Sequence, residues 1–187
     1  LYCISGHVNK PGCVELPLGV TARELIDVHG GGVWKGNKLK AVIPGGSSCP
    51  VLKADECDIP MDYDSLMKIK SMLGSGGVIV IDDQQNMVKV IARIARFFAH
   101  ESCAQCTQCR EGTAWATRIL ERIAEGHGAT EDLDTLLDIS EDMTGKTICV
   151  LSDSCATPIV SGIKKFREEF EVLIKQRRFH PVTAAVA

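Results

Sequence analysis

The sequence predicts an α+β protein, a small strand-rich unit followed by a bundle of helices. Two rhythms and one cluster carry that reading. In the first 84 positions, apolar residues fall in short runs broken by Pro and Gly. From Asn86 onward they recur every three or four positions, the spacing of one helical face. Where the second rhythm first pauses, three cysteines stand two residues apart, Cys103, Cys106 and Cys109.

The strand-rich unit opens with runs over residues 2–8 and 13–18. Between them Pro11-Gly12 marks a turn, and hence a hairpin. Thr21 with Glu24 has the form of a capping box at a helix start. That helix carries Leu25, Ile26 and Val28 and ends at Gly30, Gly31 and Gly32. Further strands are expected over 38–43 and 78–81. Hairpin, helix and more strands is the order of a β-grasp, or ubiquitin-like, domain, assigned to residues 1–84.

Four helices follow. Met87, Ile91, Ile94 and Phe98 form the apolar face of the first, with Lys89, Arg93 and Arg96 opposite. Ala116, Ile119 and Ile123 begin the second, which stops at Gly126 to Gly128. Thr130 is expected to cap the third, whose stripe is Leu133, Leu136 and Leu137. Thr157-Pro158 places a hydroxyl cap before a proline at a first helical position, and Ile159, Ile163, Phe166, Phe170 and Leu173 continue that last helix. Short links between four amphipathic helices predict a four-helix bundle over residues 85–176. The pattern is lost after Lys175, so 177–187 is expected to be a disordered tail.

Composition narrows the function classes. Of 187 residues, 45% are hydrophobic and 24% charged, with a net charge of -3, which argues against a nucleic-acid partner. No apolar run approaches the about 20 residues of a membrane span, so direct membrane insertion is not expected. The sequence begins without Met, and a segment of a longer chain is expected. Nine cysteines is an odd number, unlike a paired disulfide scaffold, and a reducing compartment with a metal centre fits better. Cys3, Cys13, Cys49 and Cys57 follow no recognisable spacing and read as small hydrophobes.

Cys-x-x-Cys-x-x-Cys matches the opening of a ferredoxin-type run, in which successive thiolates fold around one cubane. Structural zinc sites more often use two separated pairs. The Cys-Pro that would complete a local ferredoxin run is missing, because Arg110 follows Cys109. A fourth ligand must come from elsewhere. Cys149 and Cys155 are the candidates, with Cys149 narrowly preferred and His100 a weaker choice. Arg110 and Glu111 either tune such a cluster or are solvated charges at a helix start. Trp34 and Trp115 read as packing anchors.

ESCAQCTQCREGT at 101–113, followed by TICVLSD at 147–153, resembles the NADH-binding flavoprotein subunit of respiratory complex I, NADH:quinone oxidoreductase. The stretches at 1–26, 41–52, 72–82 and 159–171 are similar to the same family's β-grasp, soluble-ligand-binding (SLBB) domain and last helix. The resemblance implies that Cys103, Cys106, Cys109 and Cys149 each bind one iron of a [4Fe–4S] cluster. It implies that this cluster takes single electrons from FMN reduced by NADH, with Val150 and Leu151 approaching the flavin. The family's FMN and NAD(H) domain precedes the β-grasp domain and has no counterpart in this sequence, so the segment alone is expected to be inactive as an NADH dehydrogenase. The implied partners are that N-terminal domain, a [2Fe–2S] subunit and a large multi-cluster subunit. The implied place is peripheral, on the cytoplasmic face of a bacterial plasma membrane or the mitochondrial matrix side.

Four positions depart from the family pattern. Gln108 stands for Pro and Ala104 for Gly, which is expected to cost loop rigidity. Ser152 stands where Gly is common and Thr157 where Trp is common, at the flavin-facing edge. Rival readings are the equivalent subunit of an NAD-linked hydrogenase or formate dehydrogenase, or a zinc-stabilised interaction module.

Overall fold

The turn at Pro11-Gly12 does set a hairpin. The computed structural model describes residues 1–176, so the tail expected over 177–187 lies outside the described residues. Strand β1 (Tyr2–Gly6) pairs antiparallel with β2 (Gly12–Val14), in the register Tyr2 to Val14, Cys3 to Cys13 and Ile4 to Gly12. The second strand is thus much shorter than the run over 13–18. Thr21 Oγ1 accepts the Glu24 amide and opens α1 (Ala22–Glu24). The helix then widens into a π-type turn over Leu25–His29, closed by the Gly30 amide on the Leu25 carbonyl. Leu25 and Ile26 are buried, but the widened turn leaves Val28 67% exposed, outside the expected apolar stripe.

Strands β3 (Leu39–Ile43), β4 (Leu52–Lys53) and β5 (Gly77–Asp82) complete one sheet in the order β2-β1-β5-β3-β4. β1 and β5 run parallel and the other neighbours antiparallel, which is the β-grasp arrangement. A short helix, α2 (Tyr63–Lys68), lies between β4 and β5. Asp62 caps it through the Ser65 amide; the apolar pattern is too short there to announce it.

The bundle comprises α3 (Met87–Glu101), α4 (Thr107–Ala124), α5 (Glu131–Met143) and α6 (Leu151–Lys175). α3 and α5 each pack on both α4 and α6. Gly162 makes the α3–α6 contact possible, since a Cβ there would fall 2.0 Å from Ile91 Cδ1.

Three helix starts differ from expectation. α4 begins at Thr107, within the cysteine run, so Cys109 is helical and only Cys103 and Cys106 precede the helix. Thr130 does not cap α5 with its hydroxyl; the Asp132 carboxylate takes the Ala129 amide and an Arg122 nitrogen instead. α6 starts seven residues before Pro158 and runs through it. The buried set Ser152, Cys155, Ala156, Ile159, Gly162 and Ile163 already has helical spacing, and apolar contact on that face outweighs one missing amide. Backbone irregularity comes later, at Phe166 (φ -126°, ψ 28°).

The two expected units share a core. Ala41, Ile43, Cys49, Val51 and Ile81 of the sheet unit pack in one apolar cluster with Ile91, Ile159 and Phe170 of the bundle. Polar ties reinforce it. Glu169 Oε1 pairs with Lys40 Nζ at 2.7 Å while its Oε2 accepts the first amide of α3, from Met87, at 2.9 Å. Lys165 pairs with Glu56, and Ser161 Oγ accepts the Val51 amide.

Candidate metal centre

Two loops meet at one end of the bundle. The first joins α3 to α4. Ser102 leaves helical geometry, and its hydroxyl receives the Ala104 amide at 3.3 Å and lies 3.3 Å from Cys109 Sγ. Ala104 takes φ 63°, a left-handed conformation that favours glycine. The expectation of lost rigidity is therefore corrected at this position: alanine here adds backbone strain. Arg110 reaches back from α4 to donate to the Ala104 carbonyl at 2.9 Å and pairs with Glu111 at 2.9 Å. Its charge fastens the loop.

Cys106 ends the loop as the residue before α4, and its carbonyl accepts the Arg110 amide. Cys109 follows within the first turn, buried against the bundle. Thr113 then bonds the Cys109 carbonyl through its hydroxyl at 2.7 Å. Gly112 keeps this end close to α5, because a Cβ there would lie 2.6 Å from Met143 Cγ.

The second loop, 144–150, joins α5 to α6. Thr147 donates to the Cys149 carbonyl at 2.7 Å and lies 2.6 Å from the Ser152 hydroxyl, which itself donates to the Met143 carbonyl at 3.1 Å. Asp153 accepts the Gly145 amide at 2.9 Å. These bonds draw the loop into a closed turn over the start of α6. Ser152 is fully buried and spends its hydroxyl inside that turn. No spacing in the sequence marked it as a positioning residue; it stood out only as a departure from Gly.

The loops touch through sulfur. The Ile148 amide donates to Cys106 Sγ at 3.4 Å, placing the residue before Cys149 against the cysteine run. Cys103 and Cys149 are exposed. Among the described residues, no three Cys, His, Asp or Glu side chains converge on a point that would hold a single ion. Cys155 lies on the buried side, where burial, and secondarily Cys109, pushes its thiol up to about 12. It stays protonated at neutral pH. His100 is exposed in the last turn of α3. Val150 is 73% and Ile148 85% exposed, while Leu151 is half-buried at the start of α6. A cleft of about 330 Å³ runs between α4 and α5, lined in part by Trp115, Gly112, Ile139 and Met143. Trp115 is half exposed there, so packing does not account for all of its surface.

Of the remaining cysteines, Cys49 and Cys57 are buried, as small hydrophobes would be. Burial pushes the Cys57 thiol up to about 12 and raises that of Cys49. Cys3 and Cys13 are exposed, contrary to that expectation.

Residues 89–173 match the NADH-ubiquinone oxidoreductase-F iron-sulfur binding region, and residues 1–81 match the SLBB domain. One of the F-type subunits of NADH-quinone oxidoreductase from Rhizobium meliloti (strain 1021) is 50% identical over 182 residues, 96% of this chain and 43% of the relative. The corresponding NADH-quinone oxidoreductase protein of Rhodobacter capsulatus is 48% identical over 180 residues, 95% of this chain and 42% of the relative. The chain spans less than half the length of these curated relatives. A solved NAD+-reducing [NiFe]-hydrogenase in its H2-reduced state superposes with a TM-score of 0.81 at 31% identity, over 96% of this chain and 29% of that chain. None of the described helices is long and apolar enough to cross a membrane.

Proposed function

We propose, from the premise that the chain belongs to the family of F-type subunits of NADH-quinone oxidoreductase, that Cys103, Cys106, Cys109 and Cys149 hold the [4Fe–4S] cluster of its electron-transfer region. The observation that carries the proposal is the amide of Ile148 aimed at Cys106 Sγ across two loops. A backbone donor on a ligand sulfur is a bond by which a protein tunes an iron–sulfur site. The donor set fits the group. The four thiols come from two loops and the first turn of α4 at one bundle end, and a cubane offers each a separate iron corner, so convergence on a single point is not required. A single zinc ion would need thiolates about 3.8 Å apart, from the 2.3 Å Zn–S bond and tetrahedral angles.

When bound, the cluster supplies a one-electron station between a two-electron donor and one-electron acceptors. The chain's own residues hold and tune that station. Arg110 fixes the first loop through the Ala104 carbonyl, and Thr147 with Ser152 fixes the second. The Ile148 amide offsets negative charge on sulfur. Exposed Ile148 and Val150, with Leu151 beneath, offer an apolar edge for the flavin-bearing part of the whole protein, where FMN reduced by NADH delivers electrons. The segment itself has the ligand end of that route and does not oxidise NADH alone.

In the whole protein the partners are then the N-terminal FMN and NADH domain, a [2Fe–2S] subunit and a large multi-cluster subunit. The assembly sits peripherally, on the cytoplasmic face of a bacterial plasma membrane or the mitochondrial matrix side. The equivalent subunit of an NAD-linked hydrogenase is the second reading, favoured by the superposition with the NAD+-reducing [NiFe]-hydrogenase; the curated relatives' higher identities favour the first.

Anaerobic iron and sulfide analysis with EPR tests the ligand set. C103S, C106S, C109S and C149S are each expected to lose most of the iron, and C155S to retain it. Full iron in C149S together with loss in C155S would overturn the assignment.

A further inference from the structure

The hairpin carries a second thiol site, one that the cluster does not use. Cys3 and Cys13 stand directly opposite each other in the β1–β2 ladder. The Cys3 amide is spent on the Gly76 carbonyl at 2.9 Å, on the other side of β1. The two cysteines therefore face each other without exchanging ladder bonds, where paired Cα atoms come closest, about 4.5 Å. That lies at the short end of the about 4.4–6.8 Å over which disulfides form. Their sulfurs are 2.8 Å apart, and both residues are exposed. β2 is the outermost strand of the sheet, so a small reagent has open approach.

We propose that Cys3 and Cys13 form a reversible dithiol–disulfide site, closed by a low-molecular-weight disulfide of the glutathione class and reopened by the corresponding thiol. The register supplies what such a site requires: two sulfurs held in reach by backbone pairing, with no other element to move. The contact with Cys3 holds the Cys13 thiol above its ordinary value, which leaves Cys13 the later sulfur to react. Cys3 attacks the external disulfide, forms a mixed disulfide and releases one thiolate. Cys13 then loses its proton and attacks the Cys3 sulfur, forming the Cys3–Cys13 bond and releasing the second thiolate. Two protons from the protein convert the two released thiolates to thiols. The dithiol is oxidised by two electrons and the small disulfide is reduced by two. A disulfide between two exposed sulfurs is open to thiol attack and readily reduced. In a glutathione-buffered compartment the pair is accordingly open at rest and closes as the poise becomes more oxidising.

The test incubates the intact protein anaerobically in buffers of reduced and oxidised glutathione, then quenches with acid, alkylates free thiols and maps tryptic peptides by mass. Lys10 precedes Pro11, a bond trypsin spares, so both cysteines stay on one peptide. The expected product is that peptide lighter by two hydrogens and unalkylated, rising with oxidised glutathione and disappearing on return to reduced. In C13S, Cys3 is expected to accumulate a glutathione adduct, because the sulfur that resolves it is gone. The proposal is overturned if the wild-type peptide carries glutathione at the oxidised end, if either cysteine links elsewhere, or if both thiols stay free throughout. Iron measured on the same samples shows whether any change is confined to the hairpin.

Discussion

The hairpin pair and the bundle-end set use the same side chain in opposite ways. Cys3 and Cys13 are ten positions apart and are brought into contact by strand register alone. Cys103 and Cys106 on one loop, Cys109 in the first turn of α4 and Cys149 on a second loop stand at one bundle end, where the loops' shape depends on Arg110, Thr147, Ser152 and the strained backbone at Ala104. A ladder places two sulfurs face to face, which suits a bond between them. Loops bring sulfurs distant in sequence to one end of the bundle, where a shared cluster is proposed. What surrounds the thiol decides its chemistry, and the two surroundings here are separable by experiment.

The largest expected effect is on the loops. Gly112→Val drives a branched side chain into Met143 and should separate α4 from α5, costing about 3 kcal/mol of stability by overpacking. Iron retention should fall, while Cys3–Cys13 oxidation is unchanged; a denaturant midpoint with iron analysis reads the first and peptide mapping the second. If iron is retained at full content, the loops do not depend on that contact. Next comes the hairpin. Closing the short ring from Cys3 to Cys13 should raise stability by about 2 kcal/mol through lost chain entropy. Thermal melts in oxidising and reducing buffer should differ in the wild type and coincide in C13S.

A smaller gain is expected from Ala104→Gly. Relief of a left-handed alanine, about 1–2 kcal/mol, less the added flexibility of glycine, leaves about 1 kcal/mol, seen as a higher denaturant midpoint. No change would mean that Arg110 and Ser102 impose no strain there. The smallest effect is at Asp82, on the strand beside β1. Burial alone would raise its carboxyl, but hydrogen bonds from Asn37 and Trp34, with His7 nearby, outweigh burial and hold it below the usual carboxylate range. A depressed folded value stabilises above the unfolded pKa of about 3.9 and is lost as pH falls through the folded value. Stability measured from pH 5 downward should therefore decline less in Asp82→Asn than in the wild type.

The fold was legible where pattern and packing agree. Pro11-Gly12 and the runs around it gave the hairpin, and the change of period at Asn86 gave the bundle. Pro158 misled because a local signal for a helix start sat within a longer apolar face, and the face prevailed. The cysteine run was legible because its three thiols are close in sequence. Where the run lies was less so: Cys109 belongs to α4, since the buried Gly112, Thr113 and Ala116 extend the helix forward to Thr107. Ser152 was invisible as a loop fastener because its partners, Thr147 and the Met143 carbonyl, are set by the turn they make together. Cys3 and Cys13 read as packing residues because only register shows that they meet.

Glu169 has a mechanical consequence. One oxygen holds a lysine of the sheet and the other holds the first amide of α3. α3 is a rod of 15 residues, about 22 Å long at 1.5 Å per residue, and Cys103 follows directly from its far end. Glu169 thus ties a strand of the sheet to the near end of that rod, whose far end leads into the loop that carries Cys103 and Cys106.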